Sequence, residues 1–270
     1  MKIGLNRITM PHLPLVEFMQ QAKAMGFDAV EVRNDLIQKE ILDNIDPKEV
    51  KKIGDELGLE LITINALQRF NDHQKFLDQR YEELEDLVTL AKEAGIKAVV
   101  LVPVNDPDDK RSYEQRMKDS VAALDKFGPL FAKTKVQGLV EPLGFEICSL
   151  RYKSDAVKVI NQSKFKSHYA LVHDTFHHYL AKEDLFFPKE TALVHLSGVS
   201  PGKEIEEISD ADRILVTDDD VMGNIEQVAE LLRLGYDGFA SYECFSEEVQ
   251  NFDLNTLKEK VKQSDKLLFS

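Results

Sequence analysis

Residues 92–101, KEAGIKAVVL, read as the end of an amphipathic helix, a glycine, and a run of aliphatic and β-branched side chains. A glycine at such a joint supplies the left-handed residue that ends a helix, and the apolar run after it suits a strand buried on both faces. The same punctuation recurs in KAMGFDAVEV at 23–32, DELGLELITI at 55–64 and LRLGYDGFASYE at 232–243, with Gly26, Gly58, Gly95 and Gly235 at the joints. Helix followed by strand, repeatedly, means parallel β/α units. Apolar runs near residues 2–6, 27–33, 59–65, 97–103, 136–141, 169–174, 191–196 and 238–243 supply eight candidate strands. Eight units in 270 residues predict a closed (β/α)8 TIM barrel of the α/β class, a single domain over 1–270. The first run is not followed by G-x-G-x-x-G, which argues against an open dinucleotide-binding sheet. Helix starts agree with the scheme: Pro14 suits a first helical turn, Asp46-Pro47 reads as cap plus first residue, and Ser112 with Gln115 has capping-box spacing.

Composition narrows the partners. Lys and Arg number 34 against 48 Asp and Glu, a formal charge of −14 that repels nucleic-acid backbones and anionic membranes. The start, MKIGLNRITM, lacks the apolar core of a signal peptide, and no stretch reaches the ~18 apolar residues of a membrane span. A soluble, cytoplasmic protein is expected, free of nucleic-acid and membrane partners, with homo-oligomerisation left open. Cys148 and Cys244 stand 96 residues apart with no metal-knuckle or disulfide spacing, so idle buried thiols are expected.

The last four runs each end in a metal-capable side chain: QGLVE at Glu141, YALVHD at Asp174, TALVHL around His195 and GFASYE at Glu243. Gaps of 33, 21 and 48 residues equal about one, one and two strand-plus-helix units, so parallel neighbours would bring all four groups to one edge. Each also has a plainer explanation. Glu141 could be a solvated strand end, Asp174 the N-cap of the next helix, His195 a core histidine and Glu243 the partner of an arginine. Their joint placement favours one divalent cation, Mn²⁺, Co²⁺, Zn²⁺ or Mg²⁺, held by three carboxylates and an imidazole. Such an ion can bind two adjacent oxygens of a hydroxy-ketone and stabilise an enediolate. Glu141 and Glu243 could then flank the substrate as catalytic base and acid, the chemistry of sugar isomerisation or epimerisation. Asn6, Arg33 and Asn65 end earlier runs and join the same ring. His177 shares the loop after Asp174 and could donate to a substrate oxygen, whereas His173 alternates to the opposite face and should pack among helices.

At these residues the chain resembles the xylose isomerase-like barrel superfamily of sugar isomerases and epimerases over nearly its whole length. The resemblance implies that Glu141, Asp174, His195 and Glu243 bind one divalent metal, that both glutamates transfer protons, and that His177 contacts substrate. Further strings, EVR at Glu31 to Arg33, INAL at Ile64 to Leu67 with Phe70-Asn71, VP at Val102-Pro103 and DR at Asp212-Arg213, look most like inosose isomerases of myo-inositol catabolism. They imply substrate contacts at Arg33, Asn65, His177 and Arg213, and a small-molecule sugar or cyclic polyol ketone as substrate. Ketose 3-epimerases and inosose dehydratases share the implied site, and a non-catalytic sugar binder is a further alternative. Endonuclease IV-type DNA-repair hydrolases share the barrel too, but they need further histidines where this chain has Asn65, Pro103 and Ile214. The family's P-G-x-G turn after the arginine is replaced by ILVTDDDVMGN, so a different loop is expected over residues 197–220, with Asp218, Asp219 and Asp220 capping the last helix.

Overall fold

The computed structural model describes residues 1–269. Among them eight parallel strands pair in chain order and close on themselves: β1 (Lys2–Asn6), β2 (Ala29–Arg33), β3 (Glu60–Leu67), β4 (Ala98–Leu101), β5 (Gln137–Val140), β6 (Tyr169–Asp174), β7 (Thr191–Leu196) and β8 (Phe239–Tyr242). Every expected run carries a strand, with ends displaced by no more than two residues. The helices α1 (Leu15–Met25), α2 (Pro47–Leu57), α3 (Leu77–Ala94), α4 (Tyr113–Thr134), α5 (Lys153–Gln162), α6 (Thr175–Ala181) and α7 (Asn224–Arg233) separate the strands, and α8 (Glu247–Gln250) and α9 (Leu254–Phe269) follow β8. No described helix is long and apolar enough to cross a membrane.

The chain folds this way because its local signals agree with its pattern. Gly26, Gly58 and Gly95 end α1, α2 and α3 in the left-handed region, at φ 100°, 63° and 70°. Asp46 caps α2 by accepting from the Lys48 amide at 2.9 Å, and Pro47 opens the helix. Pro14 differs from expectation: its ψ of 150° is extended, so it is the residue before α1 and the helix begins at Leu15. Ser112 accepts from the Gln115 amide at 3.2 Å, but the returning arm is absent because Gln115 Nε2 goes to Asp119 at 2.8 Å.

Alternation along the strands divides the apolar residues between two places. Val99, Leu101, Val140, Leu171, Val194 and Leu196 belong to the large core shared with the helices. Ala98, Val100, Leu139, Val172 and Leu193 form a separate cluster that fills the barrel interior. Side chains two residues further along β5, β6 and β7 therefore rise from that apolar plug toward the C-terminal mouth, and these are Glu141, Asp174 and His195. His173 points outward as alternation requires: its Nε2 lies 3.1 Å from Gln227 Oε1 of α7 and its ring stacks on Phe186. Both cysteines are buried and unpaired.

The acidic triplet departs from expectation in two ways. It precedes α7, not the last helix, and only Asp220 caps, accepting from the Met222 and Asn224 amides at 3.2 Å each. Asp219 instead accepts from the Thr217 hydroxyl at 2.6 Å.

Candidate metal centre

Asp174 and His195 face each other in register on β6 and β7, and Glu141 and Glu243 sit one residue beyond β5 and β8. One donor atom from each of the four lies within 4.8 Å of the others, and all four residues are buried. Two donors on opposite sides of an ion bound at ~2.1 Å stand about 4.2 Å apart, so the cluster needs to close by only a fraction of an ångström to hold a cation. Three carboxylates and one imidazole are a donor set suited to a divalent ion, and the residues fit one.

The imidazole has acidic groups on both edges. His195 Nδ1 lies 2.8 Å from Glu141 Oε1, 3.3 Å from Glu243 Oε2 and 3.9 Å from Asp174 Oδ2. Its Nε2 points away, 3.1 Å from Glu31 Oε2. Acceptors on both edges favour a doubly protonated ring. Although burial opposes charge, Glu243, Glu31 and Glu141 together hold the His195 pKa well above its ordinary value.

Two guanidinium groups close the cluster. Arg213 Nη2 donates to Asp174 Oδ2 at 2.7 Å and Glu243 Oε2 at 3.0 Å, while its Nε reaches Ser197 Oγ at 3.0 Å. Arg33 Nη1 donates to Glu243 Oε1 at 2.6 Å, and its other two nitrogens clasp Asp35 at 2.7 Å each. Phe245 lies under both, about 5 Å from each guanidinium. Burial pushes the Glu243 carboxyl up, the nearby His195, Arg213 and Arg33 charges pull it back, and the outcome is a pKa of about 7. A carboxyl poised there can hold or release a proton near neutral pH.

The predicted contact residues are drawn together around a cavity of about 340 Å³ whose walls include Arg33, Asn65, Glu141, His177, Arg213 and Glu243. His177 is 5% exposed, packs edge-on against Phe145, and leaves its Nδ1 without a hydrogen-bond partner among the described residues. Asn65 borders the cavity, but its Nδ2 is committed to Glu31 Oε2 at 2.8 Å and Thr63 Oγ1 at 3.0 Å. A larger cavity of about 650 Å³ lies between the 214–218 segment and α9 and contains none of these groups.

Sequence reasoning gave no role to Glu31, Phe145 or Phe245. Glu31 is wholly buried and accepts from Thr63, Asn65 and His195. The EVR string contained it, but only the fold reveals that its partner is a histidine 164 residues away. Asn6, expected at the mouth, donates from Nδ2 to Glu243 Oε1 at 3.1 Å.

Residues 19–267 match the model of the xylose isomerase-like TIM barrel family. The chain belongs to that family. Among solved structures, a xylose isomerase domain-containing protein of Salmonella typhimurium is 31% identical over 100% of this chain and 97% of its own, with a TM-score of 0.90. The IolI protein, solved with a bound zinc atom, superposes with a TM-score of 0.89 at 20% identity, covering 99% of this chain and 98% of its own. D-Psicose 3-epimerase of Clostridium cellulolyticum, solved with D-tagatose, gives a TM-score of 0.74 at 13% identity over 99% of both chains. At those lower identities the likeness is one of xylose isomerase-like fold. A search of curated proteins returned no match.

Proposed function

We propose that this xylose isomerase-like barrel is a divalent-metal-dependent isomerase or epimerase of a small polyol ketone, with an inosose as the preferred candidate. The observation that carries the proposal is the convergence of Glu141, Asp174, His195 and Glu243 on one point at the mouth of a cavity of sugar size. A cation held there supplies Lewis acidity to adjacent carbonyl and hydroxyl oxygens of the substrate. The chain's own groups do the rest. Glu141 and Glu243 hold the two sides of the cavity and exchange a proton with the carbon beside the carbonyl, one removing it and the other returning it. His177, on the wall of the cavity, is positioned to bond a substrate hydroxyl. Arg33 and Arg213 orient Glu243 from opposite sides and border the same space, so they act on the acid/base group as well as on substrate. Burial of the whole cluster excludes bulk water from the exchanging proton.

The zinc in the IolI structure and the ketohexose in the D-psicose 3-epimerase structure support a metal and a polyol ketone. The sequence strings shared with inosose isomerases support a cyclic substrate. The test is NMR of inososes and ketoses incubated in D₂O with metal-loaded protein. Deuterium entering beside the carbonyl with a rearranged product is expected, and the product separates isomerase, epimerase and dehydratase outcomes. No exchange with any substrate would contradict the proposal and favour a sugar-binding protein.

A further inference from the structure

Behind the four clustered donors stands a fifth acidic group with no assigned part. Glu31 projects into the barrel from the middle of β2, opposite Thr63 in register, and is 0% exposed. Its Oε2 receives three donors at once: Thr63 Oγ1 at 2.5 Å, Asn65 Nδ2 at 2.8 Å and His195 Nε2 at 3.1 Å. Its Oε1 is buried without a hydrogen-bond partner among the described residues. A fully buried carboxylate with one oxygen unmatched is costly unless positive charge lies nearby to offset it. Satisfying Thr63 and Asn65 needs only a neutral carbonyl, so hydrogen bonding to those two residues does not explain a charge at this position. The charge faces the far edge of the ring whose near edge faces Glu141, Asp174 and Glu243.

We infer that Glu31 is a positioning residue for the metal centre: by accepting from His195 Nε2 it keeps the proton on that nitrogen and leaves the Nδ1 lone pair for the cation. Thr63 and Asn65 in turn fix the carboxylate, so the ring plane is set by elements on the opposite side of the barrel from the other donors. The inference rests on the metal-binding reading above and adds to it a specific tautomer and a residue outside the donor set. Carboxylates that accept from a ligating imidazole fix the ring's orientation and raise its basicity, and their removal weakens metal binding by about 10- to 100-fold.

Zinc affinity, measured by competition with a chromophoric chelator, is compared for the wild type and Glu31→Gln. The glutamine carbonyl can accept from the same three donors, so the fold is retained and the charge alone is lost. The expected result is Zn²⁺ binding weaker by about 10- to 100-fold, with the chelator-treated variant still unfolding cooperatively but at a lower midpoint, since it loses the Glu31–His195 pairing. Equal affinities would overturn the role of Glu31 while leaving the metal centre standing. A wild-type protein that takes up no Zn²⁺ would overturn the metal reading and this inference together. A second measurement needs no variant: in the Zn²⁺-loaded wild type with ¹⁵N-labelled histidine, the His195 proton is expected on Nε2, and finding it on Nδ1 would overturn the assignment.

Discussion

Asp174 divides its two oxygens between folding and function. Oδ1 accepts from the Phe176 and His177 amides at 2.8 and 3.4 Å and caps α6, while Oδ2 faces His195 and Arg213. The cap and ligand readings of this residue were thus never exclusive, and the sequence alone had no means of separating one oxygen from the other. Glu243 is the residue on which turnover should depend most. Glu243→Gln keeps one of the two accepting oxygens and removes the exchangeable proton, so the fold should persist while the rate of exchange in D₂O falls by ~10² to 10⁴-fold. A variant with undiminished exchange would remove Glu243 from the chemistry. Arg213 is 1% exposed and bonds two of the clustered carboxylates. Arg213→Met should take the guanidinium from Asp174 Oδ2 and leave Glu243 with Arg33 as its one guanidinium partner, destabilising chelator-treated protein by about 3–5 kcal/mol. Denaturant titration should show the loss shrinking when saturating Zn²⁺ replaces the missing positive charge, and an equal loss with and without the ion would show that Arg213 and the cation do not share these oxygens.

The elements were the most legible part of the chain. Glycine-terminated helices followed by aliphatic runs located β2, β3, β4 and β8, and apolar runs alone located the other four, because helix ends and doubly buried strands leave strong local marks, as at Gly26, Gly58 and Gly95. Gly26 offers a clean measure of that contribution: a Cβ there would meet nothing within 4 Å, so only its φ of +100° resists a side chain. Gly26→Ala should therefore cost about 1–2 kcal/mol of stability with activity per folded molecule unchanged, measured by denaturant unfolding. An unchanged midpoint would mean that the chain relaxes the left-handed turn. What the sequence concealed was three-dimensional. Glu31 occupies an ordinary alternating position, and its part depends on β2 facing β7 across a closed barrel. Phe145 and Phe245 lie in loops without periodicity, where an aromatic side chain gives no sign of which cavity it will line. Asp218 and Asp219 carried the same cap signal as Asp220, and loop geometry alone selected among them.

At the scale of the molecule, the barrel stacks an apolar plug beneath a dense layer of opposed charges. Ala98, Val100, Leu139, Val172 and Leu193 form the plug, and Glu31, Glu141, Asp174, His195, Arg213 and Glu243 lie above it. That layer should govern how stability depends on pH. His195 is raised well above 6.5, so its contribution is full below that value and is lost as pH climbs through the folded pKa. Glu243, raised from 4.5 to about 7, likewise favours the folded state at low pH and ceases to do so as pH rises through 7. Glu31 behaves oppositely: burial opposes its charge but His195 draws it down to about 2, so its contribution is present above 4.5 and disappears toward that lower value. Chelator-treated protein should therefore be most stable in mild acid and lose Tm steadily on the alkaline side. Zn²⁺ should abolish the alkaline loss, since binding requires a neutral imidazole and ionised carboxylates, and its affinity should rise with pH. A pH-independent affinity would contradict that linkage. Metal binding at the mouth is tested most directly by the anomalous scattering of crystals grown with Mn²⁺. A single strong peak is expected in bonding contact with Glu141, Asp174 Oδ2, His195 Nδ1 and Glu243, and the absence of any peak among those four side chains would contradict a metal centre there.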